Sequence, residues 1–365
     1  MQEVKERIYY LDAMRGILMM LGLLLHSAQV FNHEKVWRVY SENSSFLGYY
    51  LVEIIHTFRM PAFFIVSGYF CLLTIKRYGP NNFLKLRLKR IAIPLVVTAI
   101  TLNSIQQYIL TSSGWSEFNI DQYLLKGEWV AHLWFLNNIM IYFLLAFFVA
   151  KYLKTSAIFL NKKTSHYFSN IPFIAIMLIL PFTWIAIKLL GKLGFPLYFE
   201  FIGVLKVYNI MFYIPYFIFG IWLRENNEQL IRFSNINPFI SLTFIAVSFY
   251  MKNLLSDTTN SIELVLLDYF FVLGVWFSTS LCFNLFMRYA NTYSKVFYFL
   301  SDASYSVYLF HHIFVIIIGI MLINANIGGT TGLIILVSST TLITFIIHKY
   351  LISRVKILRY LYNGK

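Results

Sequence analysis

The run YLDAMRGILMMLGLLLHSAQVF, residues 10–31, decides the fold of this chain. It is predominantly apolar and long enough for a helix to cross the hydrocarbon of a bilayer, which takes about 20 residues. It carries Asp12 and Arg15, and no small-residue cleavage pattern follows it, so it predicts a retained helix rather than a signal peptide. Nine more apolar runs lie at 49–75, 91–110, 132–153, 171–190, 205–223, 238–254, 263–287, 299–323 and 333–351. The sequence therefore predicts an all-α fold, a polytopic transmembrane helical bundle of about ten helices.

The composition excludes a water-soluble domain. Of the 365 residues, 59% are hydrophobic and only 13% are charged, against about 25% charged in soluble domains. The net charge of +14 is explained by membrane topology, so the lipid bilayer and not nucleic acid is the expected partner. With the N-terminus inside, 21 Lys and Arg residues fall in cytoplasmic segments and seven in the opposite loops, which predicts that both termini are cytoplasmic. The predicted cytoplasmic segments are 1–9, 76–90, 151–166, 224–237, 288–297 and 349–365.

No extended Pro-, Ser- or Gly-rich linker divides the chain, so residues 1–365 are expected to form one integral-membrane domain. Cys71 and Cys282 lie within or at the edge of apolar runs and lack metal-ligand or CxxC spacing. We interpret both cysteines as packing residues and expect neither a metal ion nor a permanently bound cofactor.

The first helix carries a polar stripe. Asp12, Arg15, Met19, Gly22 and His26 follow one another at intervals of three and four residues, which places all five on one face. Ionisable side chains at this depth are costly, so they usually face the bundle interior and mark a site. From Arg15 to His26 the stripe extends about 16 Å, like a path from the cytoplasmic edge to beyond mid-membrane. The alternative is a structural ion pair at the helix start and an interior histidine whose hydrogen bonds are satisfied.

The second helix places Glu53, His56 and Arg59 on successive turns. Arg59 lies about midway along its span, too deep to reach either surface easily, so it must meet a counter-ion, a polar ligand or water. The alternative is a structural pairing of Arg59 with Glu53 or Asp12. Ser67 and Gly68 then follow, where small residues let helices approach closely.

The ninth helix places Ser304, Tyr308 and His311 on one face. His311 and the adjacent His312 should point about 100° apart, so we do not expect them to chelate one metal together. We expect one of the two to be functional and the other structural.

The remaining basic residues and histidines give weaker signals. Six Lys and Arg residues between Lys76 and Arg90 are suited to the phosphates of an anionic donor, although helix orientation alone also explains them. His132 opens the fourth helix at the outer interface, where an aromatic belt is the simpler explanation. His33, His166 and His348 are assigned no chemistry.

Pattern alone leads to a membrane enzyme or a transporter. A positioned histidine can take a proton from an attacking hydroxyl, and nearby arginines can stabilise an oxyanion or bind carboxylate and phosphate groups. The chain contains no GxSxG, Walker or HExxH motif. The alternative function is a proton-coupled transporter or flippase of an anionic solute or glycan precursor, and a third is a non-catalytic membrane subunit.

The motifs YLDAMRG at 10–16 with His26, FRM at 58–60 and FFIVSGYF at 63–70 resemble the opening of the acyltransferase-3 family. The later segments HLWFL at 132–136, YIPYFIFG at 213–220 and SYSVYLFHH at 304–312 agree in order. Within that family, the chain is most similar to the glucan biosynthesis protein C branch, which is associated with adding succinyl groups to osmoregulated periplasmic glucans.

This resemblance implies a multi-pass enzyme of the bacterial inner membrane. Its expected reaction transfers a succinyl group, or otherwise an acetyl group, from cytoplasmic acyl-CoA to hydroxyls of an extracytoplasmic glucan. Glucan-synthesis proteins are possible partners. The resemblance implies His26 as the catalytic base, His311 as a supporting group and Arg59 as a donor or transition-state contact. The candidate substrate-binding residues are Asp12, Arg15, His56, Ser67 and Tyr308.

Overall fold

The computed structural model describes residues 8–152 and 171–365, so His166 lies outside the described residues. The helices, named in chain order, are α1 Tyr9–Val30, α2 Phe46–Arg87, α3 Ile93–Ile100, α4 Leu102–Ser112, α5 Ile120–Leu125, α6 Trp134–Tyr152, α7 Phe173–Ile179, α8 Phe182–Lys192, α9 Val207–Glu225, α10 Asn227–Ser234, α11 Pro238–Leu254, α12 Ser261–Tyr289, α13 Lys295–Asn324, α14 Gly329–Ile346 and α15 Lys356–Asn363. Strands β1 (Glu200–Phe201) and β2 (Leu205–Lys206) pair antiparallel, with Glu200 opposite Lys206.

The prediction of an all-α polytopic bundle is confirmed, and each predicted apolar run coincides with helical structure. By length and composition, seven helices in the described part of the chain are able to cross a membrane. The number is eight if the pair α10 and α11, bent by 70°, forms one span. The predicted number of spans, about ten, is higher for two reasons. Phe46–Ser112 contains two of the predicted apolar runs but is counted as one membrane-spanning helix. Helix α9, whose proline and tyrosines lower its hydropathy, is not among the seven.

The two ends of the bundle differ in chemistry. Helices α1 and α13 lie side by side, and both start at the end that carries the Lys76–Arg90 segment and α15. We call this the basic end. The opposite end, where His26 lies, is the histidine end. By the excess of Lys and Arg, the basic end is expected to face the cytoplasm.

Helix α1 lies at the centre of the bundle, between α2 and α13. Its apolar side chains Leu11, Met14 and Leu18 are almost completely buried. Gly16 permits the close approach to α13, because a Cβ at this position would lie only 2.8 Å from the Cα of Ser301. Within the polar stripe, Met19 and Gly22 are buried and Asp12 and His26 are partly buried, whereas Arg15 is exposed at the start of the helix.

Helices α2 and α9 cross at a pair of glycines. A Cβ added to Gly68 would overlap the carbonyl oxygen of Phe217, and one added to Gly220 would overlap the carbonyl oxygen of Ile65. Backbone meets backbone here, which is the use that membrane bundles make of small residues. The crossing fixes α2, and with it Arg59, against the rest of the bundle.

We predict that Gly68→Ala lowers the free energy of unfolding by about 2 kcal/mol or more, because the α2–α9 crossing has no room for a methyl group. The midpoint of thermal unfolding of the purified protein in detergent measures this. Gly319→Ala is the matched control, since its Cβ would make ordinary contacts, the nearest at 3.5 Å to Val30. An equal midpoint for the two variants would contradict the predicted crossing.

Candidate functional site

Four histidines from three parts of the chain meet near the histidine end. The ring of His26 is 5.3 Å from that of His311 and 5.0 Å from that of His312. His132 stacks on His312 with ring centroids 4.6 Å apart and lies 5.4 Å from His311. Trp37 covers this group, 5.8 Å from His26 and 5.4 Å from His312. We call these four histidines the histidine cluster.

Hydrogen bonds set the tautomer of three of these rings. His26 Nδ1 donates to Gln29 Oε1 at 2.8 Å, His311 Nδ1 donates to the carbonyl oxygen of Tyr308 at 2.7 Å, and His312 Nδ1 donates to Gln106 Oε1 at 2.5 Å. Because each partner oxygen is an acceptor, Nδ1 carries the proton and Nε2 of the neutral ring keeps its lone pair. That lone pair is what a general base requires.

The backbone that carries His132 is strained and firmly held. Ala131 has φ 46° and ψ −122°, a conformation rare for a residue with a side chain and one that the surrounding structure must enforce. The Tyr308 hydroxyl donates to the carbonyl oxygen of His132 at 2.7 Å, and Asn103 Nδ2 donates to that of Val130 at 3.2 Å. Both ring nitrogens of His132 are buried without a hydrogen-bond partner in the described part of the chain.

The loop that carries Trp37 is tied to the same strained segment. Arg38 Nη2 donates to the carbonyl oxygen of Glu128 at 3.5 Å, close to the limit for a hydrogen bond. Burial lowers the pKa of the Arg38 guanidinium, and the negative charge of Glu128 opposes that shift. Trp37 and His132 therefore approach the cluster from two connected loops.

Arg59 is buried without a counter-ion. Arg59 is only 7% exposed. Within residues 8–152 and 171–365, its guanidinium makes no ion pair or hydrogen bond. Glu53 pairs instead with Lys252 at 3.2 Å, and Asp12 with Arg15 at 3.6 Å. The alternative prediction, a structural ion pair of Arg59 with Glu53 or Asp12, is therefore wrong.

Gly22 makes room for the Arg59 guanidinium, since a Cβ on Gly22 would lie 3.1 Å from Arg59 Nη2. The guanidinium lies within electrostatic range of His26, His311, Tyr308 and Tyr213. A desolvated, unpaired cation beside a histidine with a free lone pair is suited to a negative charge that develops during a reaction.

A cavity of about 240 Å³ opens at the basic end; we call it the basic-end cavity. Its cationic side chains are Arg15, Arg87, Arg90 and Lys365, and its anionic side chain is Asp302. The other lining residues are Met19, Phe63, Ser67, Phe70, Ile91, Phe135, Leu136, Ile139, Phe143, Ser301, Ser304, Tyr305 and Asn363. The cavity thus combines a charged rim with an apolar lining, which is the usual form of a small-molecule site.

The cavity and the histidine cluster lie along the same two helices. Met19 and Ser304 line the cavity and precede His26 and His311 by seven residues each, which is about 10 Å of helix. Phe135 lines the cavity as well, and its ring is 6.0 Å from that of Tyr308. The polar stripe predicted on α1 therefore connects the two sites.

The structure brings most of the predicted site residues into these two places. His26, Arg59, Tyr308 and His311 meet at the cluster, Arg15 and Ser67 line the cavity, and Asp12 pairs with Arg15. His56 is exposed on α2, and no aromatic ring of the described residues contacts it. His348, to which no chemistry is assigned, bonds through Nδ1 to Ser306 Oγ at 3.0 Å near the basic end.

Sequence reasoning missed the positions of His132 and His312. The sequence predicts His132 at the membrane interface, because nothing in it indicates that the backbone turns inward at Ala131. His312 reads as a structural neighbour of His311, yet its ring faces both His26 and His132. In the described ranges, no group of three or more His, Cys, Asp or Glu residues is arranged to hold a metal ion.

A polytopic bundle with a basic cavity that leads to a positioned histidine and an unpaired arginine fits a membrane group-transfer enzyme and also a transporter, and the comparison with known families distinguishes the two. The family model described as "Acyltransferase domain" matches residues 8–349. The chain belongs to this family and is a membrane acyltransferase.

The chain is similar to proteins of Escherichia coli. It is 29% identical over 382 aligned positions to glucans biosynthesis protein C of Escherichia coli K12, with 99% of this chain and 95% of the relative covered. The identity is 28% over 384 positions, at the same coverage, to the protein of that name in Escherichia coli O139:H28. The resemblance found in the sequence motifs is thereby confirmed, and the chain is a multi-pass bacterial membrane protein. No solved structure matches it.

We predict that Arg59→Met leaves the stability of the protein unchanged or raises it by about 1 kcal/mol, since it removes a buried charge that no carboxylate balances. Thermal unfolding in detergent measures the effect. Lys188→Met is the control, because Lys188 is a cation that does have a counter-ion. This substitution breaks the 2.6 Å ion pair with Asp268 and leaves that carboxylate unpaired, so the midpoint of thermal unfolding should fall. A strong destabilisation by Arg59→Met would mean that Arg59 is a structural residue.

Proposed function

We propose that the chain transfers an acyl group, succinyl or otherwise acetyl, from cytoplasmic acyl-CoA to hydroxyls of an extracytoplasmic glucan. The enzyme acts in the bacterial inner membrane as a single domain, residues 1–365. The observation that carries the proposal is the connection between the basic-end cavity and the histidine cluster, two sites at different depths of one bundle. The names of its relatives supply the acceptor class, because they are proteins of glucan biosynthesis.

The basic-end cavity is the proposed donor site. Acyl-CoA carries several phosphates, and Arg87 and Arg90 at the rim supply the positive charge to hold them. Of the six basic residues predicted for this role, these two line the cavity, whereas Lys76 pairs with Glu225. The apolar lining, including Phe63 and Phe143, suits the uncharged arm that carries the acyl group.

The proposed reaction is direct transfer at the histidine cluster. Nε2 of His26 takes the proton from an acceptor hydroxyl, and the hydroxyl oxygen forms a bond to the thioester carbonyl carbon. The guanidinium of Arg59 stabilises the oxyanion that results. The carbon–sulfur bond then breaks, the CoA thiolate leaves with the proton that His26 Nε2 had taken up, and the neutral histidine and the acyl ester on the glucan remain.

The other predicted residues have supporting roles in this proposal. Gln29 keeps the proton of His26 on Nδ1, so that Nε2 faces the reaction. His311 and Tyr308 shape the cluster, and the pair of Asp12 and Arg15 lies at the donor end. Ser67 is the proposed donor contact inside the cavity. The substrate contact of His56 and the association with glucan-synthesis proteins stay predictions.

The experiment compares extracytoplasmic glucans by mass spectrometry from cells that carry the intact protein or His26→Ala, matched for abundance in the membrane. We expect the mass increment of one acyl group to be present with the intact protein and lost by a factor of about 100 or more with His26→Ala, because general-base catalysis contributes that much. The size of the increment distinguishes succinyl from acetyl.

The matched control is His33→Ala, a histidine at the same end whose ring contacts Tyr49 at 4.5 Å and lies outside the cluster. We expect cells with His33→Ala to acylate their glucans to the same extent as cells with the intact protein. Equal acylation by His26→Ala and the intact protein would remove His26 from the mechanism. Glucan export without acylation would favour the transporter.

A further inference from the structure

A second cavity lies at the histidine end, with a volume of about 450 Å³. Three loops form it: the one between α1 and α2, the one after α4, and the one between α13 and α14. Its lining residues are Tyr40, Ser41, Glu42, Asn43, Trp115, Ile323, Asn326, Ile327 and Gly328. We call it the outer cavity. None of these residues belongs to the basic-end cavity or to the histidine cluster.

The outer cavity is held in shape by backbone contacts. Gly329 N donates to the carbonyl oxygen of Asn43 at 2.7 Å, and a Cβ on Gly328 would lie 2.6 Å from that of Asn43, so the two loops touch directly. Trp115 N donates to the carbonyl oxygen of Leu110 at 2.9 Å. Asn326 has φ 57°, which turns the third loop.

The chemistry of the lining selects a neutral, polyhydroxylated ligand. Tyr40 and Trp115 meet edge to face, with ring centroids 5.3 Å apart and planes at 85°, and form an aromatic corner. Asn43 and Asn326 add amide groups that both donate and accept hydrogen bonds. Sugar rings combine an apolar C–H face, which packs on aromatic rings, with a polar hydroxyl edge, which bonds to amides.

Charge argues against an anionic ligand here. In the part of the chain that the structure describes, no Lys or Arg lines the outer cavity. Its one carboxylate, Glu42, is paired with Lys35. Acyl-CoA and phosphorylated compounds would meet only Lys35, whose charge Glu42 already balances, in contrast to the four cationic side chains of the basic-end cavity.

The outer cavity is connected to the reaction centre by packed side chains. Trp37, which covers His26 and His312, packs in one apolar cluster with Val39 and Trp115. Ile323 follows His312 by eleven residues on α13, which is about 16 Å of helix. A sugar bound in the outer cavity is therefore several units of a chain away from the hydroxyl that reacts.

We propose that the outer cavity is a distal acceptor subsite, which binds a glucosyl unit of a long neutral oligosaccharide while another unit of the same chain is acylated at the histidine cluster. This inference rests on the proposed function and adds a physical reason for the choice of acceptor. The enzyme prefers long acceptors because only these reach both places. Trp115 and Asn326 are its binding residues.

The test uses the purified full-length protein in lipid nanodiscs, with succinyl-CoA or acetyl-CoA as donor and linear glucose oligosaccharides of increasing length as acceptors. For Trp115→Ala we expect KM for long acceptors to rise about tenfold, as for loss of one aromatic anchor. The kcat, the KM for acyl-CoA and the kinetics with the disaccharide should stay unchanged, since none of them involves the distal subsite.

Asn326→Gly is the second variant, because glycine adopts the same positive φ and only the amide side chain is lost. Its KM for long acceptors should rise several-fold even if Trp115→Ala fails to fold. The control is Tyr250→Ala, which removes an exposed aromatic ring from α11, outside the cavity. It should behave as the wild type.

The outcomes separate this inference from the proposed function. Wild-type transfer to long acceptors with an unchanged KM in Asn326→Gly and in folded Trp115→Ala would overturn the distal subsite and leave the acyltransfer proposal standing. A wild type that acylates no saccharide of any length would contradict the proposed function itself. A KM effect equal for the disaccharide and the long acceptors would also refute a distal position.

Discussion

The chemistry proposed for this bundle depends on one charge, the guanidinium of Arg59, which is buried without a carboxylate. A charge in a low-dielectric interior is costly unless something balances it. The carboxylates that might have done so are used elsewhere, Glu53 by Lys252 and Asp12 by Arg15. Gly22 leaves the space for the guanidinium, and the α2–α9 crossing holds the helix that carries it. In the mechanism that we propose, the oxyanion of the reacting thioester is the counter-charge of Arg59.

The fold and half of the site are predictable from the sequence for a simple reason: periodicity within one helix needs no tertiary information. The stripe from Asp12 to His26 and the depth of Arg59 follow from helix geometry alone. The span count is less certain, because hydropathy separates 49–75 from 91–110, whereas the structure has helix through most of Phe46–Ser112. Family motifs then supply the acyl-transfer chemistry that pattern alone leaves open.

The rest of the site depends on contacts between distant segments, which one sequence does not reveal. His132 reaches the cluster through the strained backbone at Ala131, and His312 through its bond to Gln106. Tyr40 and Trp115 are separated in the chain by helices α2, α3 and α4 but form one aromatic corner. These groups lie in loops or on second faces of helices, where periodicity gives no signal.

In the mechanism that we propose, donor and acceptor reach one reaction centre from opposite ends of the bundle. The direct measurement uses proteoliposomes with glucose oligosaccharide trapped inside, labelled acyl-CoA added outside, and protein inserted with its basic end outward. We expect labelled oligosaccharide in the lumen for the wild type and none for His26→Ala. Transfer of label only when both substrates share one compartment would contradict entry from opposite ends, and so would oligosaccharide movement without any acylation.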